Sequence, residues 1–557
     1  MSLSSQTLVS RPAQARTPER AHAIRCIDPA TGAAIAEVPN HGSDAVRQAV
    51  ERARQAQQAW RSTGWATRRR LLSRLSARIL KERDELCRLV VQDAGKTYEH
   101  ALLGEIWPVL EKLRWTLQHG TAALQPEQRS AGLLWHKRAR VDFVPRGVIG
   151  VITPWNYPLQ NILGPVIPAL FAGNAVVVKV SEHSGASAAP FARLIQTVLQ
   201  AEGQPADLVQ VLTGDGATGA ALIDAGVDQV VFTGSVANGR KVAEACAKHL
   251  TPVILELGGK DPMIICDDAH LEQAAHAALC GTLLASGQMC LGAERIFVHE
   301  AVHARFVERL VQLCRPLRQG VPRAPGVVDI GAMTMPRQVD ILEALVADAV
   351  AKGAELQLGG HRVPIEAGCY FAPTILTGVT ADMRIAQEEC FGPILAIRSF
   401  HSDAEVIALA NATQFGLGAS IFSRDPGRAE RITAAIEAGS VCINDFGLCY
   451  MANALPFGGI KQSGYGRLNG IEGLRAFCHA KSVMSDRWPL HIPAKVFPAS
   501  ATDYARTSAV LDLIYAKDLR SRLHASWRLC RGAAPWQRHT AGGATPHGAG
   551  DAQAATQ

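Results

Sequence analysis

Residues 285–294, ASGQMCLGAE, set Cys290 behind a run of small residues and just ahead of a strand-like stretch. A thiol so placed is either a nucleophile or core filler, the usual fate of a free cysteine, and this chain holds 13. Candidate partners lie upstream. In PWNYP, residues 154–158, Asn156 is held between two prolines beside an aromatic. A rigid Asn amide can donate to an oxyanion, although a turn asparagine fits the same residues. LELGGK, residues 255–260, places Glu256 at the end of a hydrophobic strand before two glycines. An enclosed carboxylate there would have the raised pKa that a base for water needs; the alternative is a strand-end glutamate paired with a lysine. In FTGSVANG, Gly234 allows close backbone approach and Ser235 stands where it could cap the next helix, so free N–H groups would face an anion. An ordinary capped helix is the competing reading. GDGATG at 214–219 fits G-x-G-x-x-G after a strand, a weak signal because no acidic residue is clearly placed for a ribose.

The elements that must position these residues alternate. AVVVKV (175–180), a helix over 185–201, LVQVLTG, a helix over 217–224, QVVFTGS, a helix over 236–249 and PVILELGG form one series. DPMIICDDA, a long helix through residue 286, RIFVHE and a helix over 302–315 form another. That rhythm predicts βαβ units and parallel sheets in two α/β lobes. The most apolar stretch, Val144 to Val180, carries Pro154, Pro158, Pro165 and Pro168 with polar residues between, which argues against a membrane-spanning helix.

The length, 557 residues, exceeds what one core organises. The cysteines show no C-x-x-C pair and no regular spacing, so neither a metal cluster nor a disulfide framework is expected, and a reducing, cytoplasmic setting is. The net charge of +7 is concentrated at the ends, leaving the body near neutral and without a nucleic-acid surface. Residues 1–22 and about 533–557 are low in complexity and are expected to be disordered.

Taken in order, PWNYP, KVSE (179–182), FTGS, LELGGK, GQMC (287–290), EECFGP (388–393) and PFGGIKQSGYGR (456–467) closely resemble the motifs of the NAD(P)-dependent aldehyde dehydrogenases, from about residue 25 to 485. The resemblance implies Cys290 as nucleophile, Glu256 as the base that activates the hydrolytic water, and Asn156 with the Cys290 N–H as oxyanion donors. The 34-residue separation of Glu256 and Cys290 matches the family pattern. It implies NAD as cofactor, with NADP also open: Lys179 and Glu182 at the adenosine ribose, Gly234 and Ser235 at the pyrophosphate, Glu389 at the nicotinamide ribose, Phe391 near the ring and Trp155 walling the site. Tyr157, Met289, Leu291, Leu448, Tyr450 and Phe457 would line the substrate tunnel, and Gly164 falls where many relatives carry a bulky side chain, implying a roomy apolar passage. No metal is implied. Val180 departs from the usual proline, and Cys390 from the usual aliphatic.

The implied architecture is two Rossmann-like lobes with a β-hairpin oligomerisation element: a coenzyme domain over 23–130 and 146–257, a catalytic domain over 258–465, and strands over 131–145 and 480–490 that would join a homodimer or homotetramer. Beyond it, residues 491–557 form an extension in which Leu511, Tyr515, Leu519, Leu523 and Trp527 recur every four residues among Lys517, Arg520, Arg522, Arg528 and Arg531. That predicts one amphipathic helix over about 508–531, docked on protein or lying on anionic lipid as a peripheral membrane contact. Three further functions compete with hydrolytic oxidation of aliphatic or aromatic aldehydes: transfer of the acyl group to coenzyme A, a succinate-semialdehyde type of substrate, and a catalytically inactive binding relative.

Overall fold

The computed structural model of the chain describes residues 23–489 and 497–531; the ends read above as disordered, 1–22 and 533–557, lie outside the described residues. One compact unit holds the chain to Ser130 and Ala139–Val483. It contains two largely parallel sheets, an α/β fold with two Rossmann-like lobes.

The first sheet has six strands in the order Gly464–Tyr465, Val253–Leu257, Gln229–Gly234, Val148–Ile152, Ala175–Val180 and Val209–Thr213. All neighbours are parallel except the Gly464–Tyr465 edge. VIGVI and AVVVKV are buried along their whole length, as strands covered on both faces must be. The chain runs from Val148–Ile152 outward through two strands and then returns to the opposite side of Val148–Ile152 at Gln229–Gly234. That reversal opens a crevice at the carboxyl ends of the strands, where α/β sheets take their ligands.

The second sheet has seven strands, in the order Glu355–Leu358, Thr374–Thr377, Ile394–Phe400, Arg295–His299, Pro262–Ile265, Gly418–Phe422 and Ser440–Ile443. Only its Glu355–Leu358 edge is antiparallel. The helix expected to run through residue 286 ends at Leu283. A tight turn follows in which Ala285, Ser286 and Gly287 all take left-handed φ, which no continuous helix allows.

Helix Pro158–Ala172 contains Pro165 and Pro168. Pro168 has no N–H, so the Gly164 carbonyl lacks its ordinary helical donor. The Lys112 amine supplies one instead, at 3.2 Å. Burial pushes the Lys112 pKa down to about 7.

A three-stranded sheet joins Cys478–Asp486, Lys137–Pro145 and Glu127–Arg129 in that order. The strand expected over 131–145 begins only at Lys137, because residues 132–133 and 135–136 are in turns. Its partner runs over Cys478–Asp486 rather than 480–490, forms one edge of the sheet, and is exposed over most of its length.

The second unit comprises 131–138 and the chain from Met484. The single helix expected over 508–531 is two helices, Ala501–Tyr515 and Leu519–Cys530, packed on one another. The break has a local cause: the Asp518 carboxylate accepts from the Ser521 N–H at 2.7 Å and caps the second helix. Ala509 and Ala525 are buried, Arg528 pairs with Asp512 across the hairpin, and Leu511, Tyr515, Leu519, Leu523 and Trp527 are all exposed. Among the described residues no helix is long and apolar enough to cross a membrane.

Candidate active site

The crevice at the strand ends has a volume of about 1490 Å³ and is lined by Asn156, Glu256 and Cys290 together with Trp155, Lys179, Glu182, Gly234, Ser235, Glu389 and Phe391. Residues far apart in the chain meet there because each lies at the end of a strand or just after a strand or a tight turn. Asn156 lies in the loop after Val148–Ile152, Glu256 is within Val253–Leu257, and the left-handed turn at 285–287 delivers Cys290. Two close approaches account for the paired glycines of LELGGK. A Cβ on Gly259 would lie 2.6 Å from the Cys290 carbonyl oxygen, and one on Gly258 would lie 2.6 Å from the Glu389 carboxylate.

Asn156 is orientated from both sides. Its Nδ2 donates to the Gln288 carbonyl at 3.1 Å, and its Oδ1 accepts from Asn161 Nδ2 at 3.1 Å. The donor face of the amide is therefore directed at the loop that carries Cys290. Beneath this loop Glu105 accepts from the N–H groups of Leu159 and Gln160, at 3.1 and 2.8 Å, and from Lys96 at 2.6 Å. The Lys96 ammonium in turn sits 3.4 Å from the centre of the Tyr157 ring.

Glu256 is buried, and its Oε1 has no hydrogen-bond partner. A lysine pairing was one reading of this residue, but Lys260 donates to Glu294 at 2.8 Å and lies 3.3 Å from the Cys390 sulfur. The Cys290 thiol lies close enough to the Glu256 carboxyl for each to shift the other's pKa. Burial pushes the Glu256 pKa up to about 7, and the nearby thiol partly offsets the rise. Burial, followed by the nearby Glu256, holds the Cys290 pKa well above the ordinary thiol value, so the resting group is a thiol.

Around this centre the donor set suits a dinucleotide. Ser235 caps helix Val236–Lys248 through the Asn238 N–H at 3.4 Å, so the helix N-terminus opens toward the crevice. Lys179 Nζ is 3.4 Å from Glu182 Oε2. Glu389 accepts from the Gly259 N–H at 3.2 Å, and burial with the neighbouring Glu294 charge raises its pKa to about 8. Trp155 and Phe391 meet edge to face at 5.5 Å. Among the described residues no His, Cys, Asp and Glu cluster could hold a metal.

The residues assigned to a tunnel are less uniform. Tyr157 is buried with its hydroxyl unpartnered, Tyr450 packs edge to face on Phe457 at 4.8 Å, and Leu291 and Tyr450 share a small second cavity. Leu448 is exposed, and Met289 is half-buried with no polar partner of its own side chain. The expectation that Gly164 leaves apolar room needs correction. A Cβ there would find the Gln160 amide nitrogen at 3.3 Å and the Lys112 amine at 3.9 Å, both polar. Gln160 also contacts the Tyr450 hydroxyl. Neither Lys112 nor Gln160 carries a local sequence signal.

Residues 16–483 match the Aldehyde dehydrogenase family. The chain is 38% identical over 498 residues to 4,4'-diapolycopene aldehyde oxidase of Methylomonas sp, covering 89% of this chain and 92% of that one. It is 33% identical over 481 residues to the chloroplastic betaine aldehyde dehydrogenase of Beta vulgaris, covering 85% and 94%. The aldehyde dehydrogenase of Bacillus cereus, solved as an NAD+ complex, superposes with a TM-score of 0.79 at 31% identity over 84% of this chain and 94% of that one. The chain belongs to the aldehyde dehydrogenase family. Its activity is the NAD(P)-dependent oxidation of an aldehyde.

Proposed function

We propose that this enzyme oxidises aliphatic or aromatic aldehydes to carboxylic acids with NAD, through a thioester on Cys290 that water hydrolyses. The observation that carries the reading is the buried Glu256 carboxyl, which lines the same crevice as Cys290 and has one oxygen left unpartnered. The Cys290 thiol passes its proton to the Glu256 carboxylate, which releases it to solvent before the hydrolytic step, and the sulfur bonds to the aldehyde carbon. The oxyanion that develops takes hydrogen bonds from Asn156 Nδ2 and the Cys290 N–H. NAD, when bound, supplies the hydride acceptor that turns this adduct into the thioester. Glu256 then removes a proton from water, the hydroxide adds to the thioester carbon, and the acid leaves as the Cys290 sulfur is released. A carboxylate free to serve water has little use in an enzyme that passes its acyl group to coenzyme A, and intact Cys290, Asn156 and Glu256 argue against an inactive relative. The relatives' named aldehydes differ, so the substrate class rests on Tyr157, Leu291, Tyr450 and Phe457, which offer apolar surface and no arginine for a second carboxylate. NADH formation from octanal and benzaldehyde should exceed that from succinate semialdehyde in kcat/KM, with no gain from coenzyme A. The opposite order, or dependence on coenzyme A, would overturn the reading.

Lys179 and Glu182 support NAD over NADP. The Glu182 carboxylate can accept from ribose hydroxyls and would repel a 2′-phosphate. The wild type should show the higher kcat/KM with NAD, and Glu182→Gln should narrow the ratio by about tenfold, some 1.4 kcal/mol. Equal use of both cofactors by the wild type would refute the assignment. The exposed edge strand Cys478–Asp486 favours assembly into a homo-oligomer by extending a partner's sheet.

A second reading concerns the C-terminal hairpin. Its exposed Leu511, Tyr515, Leu519, Leu523 and Trp527 stand among Lys517, Arg520 and Arg531, a composition suited to the surface of an anionic membrane. The full-length chain should float with vesicles containing phosphatidylserine at low salt, and a chain ending at Trp488 should not. If neither floats, the stripe is a protein-docking face.

A further inference from the structure

Outside the crevice, two thiols are in contact. Cys442 closes strand Ser440–Ile443, and Cys449 lies in the short helix Leu448–Met451 that also carries Tyr450. Their sulfurs are 3.2 Å apart, and the Cys449 N–H donates to the Cys442 sulfur at 3.4 Å. Between them the chain makes a tight turn with left-handed Asn444 and Gly447. Both cysteines line the small cavity shared by Leu291, the residue after Cys290, and Tyr450. Cys442 is buried, whereas Cys449 is half-buried.

We propose that Cys442 and Cys449 form a reversible disulfide, a modification site that couples the aldehyde passage to a peroxide oxidant. The sulfurs need approach by only about 1.1 Å to reach a bond length of about 2.05 Å. The Cys442 sulfur attacks one peroxide oxygen, the O–O bond breaks, and hydroxide leaves with a sulfenic acid on Cys442. The Cys449 sulfur then displaces that hydroxyl as water. Two thiols and one hydrogen peroxide thus give one disulfide and two waters. The contact with the Cys449 thiol, together with the N–H groups of Cys449 and Leu448, shifts the Cys442 pKa below the ordinary thiol value, which favours the reactive thiolate. Most of the other cysteines are pushed the opposite way by burial, Cys266 and Cys314 to about 12.

The bond would close the turn from 442 to 449 and pull helix Leu448–Met451 toward its strand. Tyr450 would leave its contacts with Gln160 and Phe457. Large aldehydes, which need that wall, should lose more than small ones; this kinetic consequence rests on the tunnel reading above, whereas formation of the bond does not.

The test treats the full-length enzyme with stoichiometric hydrogen peroxide while NAD is present, then maps the tryptic fragment 432–461, which contains both cysteines and no others. The fragment should lose the mass of two hydrogens and regain it with dithiothreitol. kcat/KM for octanal should fall by about threefold or more and recover, while that for acetaldehyde changes less. Cys442→Ser and Cys449→Ser should each abolish the reversible change. A fragment that keeps its mass, or is oxidised beyond sulfenic acid without crosslinking, overturns the disulfide. A crosslink without any kinetic change overturns the coupling alone. A kinetic change that persists in both serine variants assigns the effect to Cys290 and overturns it too.

Discussion

Cys290→Ala is expected to reduce turnover by about a thousandfold or more, because the proposed reaction runs through an acyl group held on its sulfur. Lys179, Glu182 and Ser235, proposed to hold the cofactor, lie on other strand ends, so NAD should still bind, measured by fluorescence quenching, with an affinity close to wild type. That pairing of results separates lost chemistry from lost folding. Asn156→Ala should be milder, a loss of about a hundredfold in kcat, the usual cost of one oxyanion donor. Its loss should fall on kcat rather than KM, since the amide is aimed at the Cys290 loop and bears on a charge that develops only during reaction. Retention of wild-type turnover by Cys290→Ala would sink the nucleophile assignment and move it to Cys369 or Cys26, the other cysteines that line the crevice, both with pKa values raised by burial.

What the sequence conveyed and what it hid differ in kind. Gly258, Gly259 and Gly287 stand in short motifs because backbone passes too close there for any side chain, and such demands are written locally. A Cβ at Gly287, for instance, would lie 2.2 Å from the backbone of Gly392. Most strands of the first sheet, with Pro262–Ile265 and Arg295–His299 of the second, were legible as short apolar runs bounded by turn residues, whereas Glu355–Leu358, Thr374–Thr377, Ile394–Phe400, Gly418–Phe422 and Ser440–Ile443 were not read. The polar supports were not. Lys112 answers a carbonyl that Pro168 leaves open, and Lys96 with Glu105 holds the helix that follows Asn156. These partners come together only when two helices pack, so nothing in the spacing announces them. The error at Gly164 has the same origin, since an absent side chain marked space but not who filled it. The break in the C-terminal helix was different: Asp518 three residues before Ser521 is a capping signal that the four-residue apolar repeat overrode.

Glu256→Gln should separate the two halves of the reaction. With wild-type enzyme, NADH should form steadily; with the glutamine variant, about one equivalent per site should form and then the rate should fall by about a hundredfold or more, because the amide cannot take a proton from water. The burst should be slower than the first wild-type turnover, since the resting Cys290 thiol loses the neighbouring carboxylate that can take its proton. The pH profile carries the same assignment. Glu256 has a pKa of about 7, raised by burial, and only its deprotonated form can act as base. Wild-type kcat should therefore rise with pH through about 7 and fall away below it, and the residual rate of the variant should lack that inflection. Bound cofactor and acyl group alter the burial of the carboxyl, so the comparison between the two proteins decides the matter rather than the position of the midpoint. Steady, burst-free turnover by Glu256→Gln at the wild-type rate, with the inflection near 7 intact, would transfer the base to another group; Glu389, with a pKa of about 8 and on the same crevice wall, would be the first to mutate.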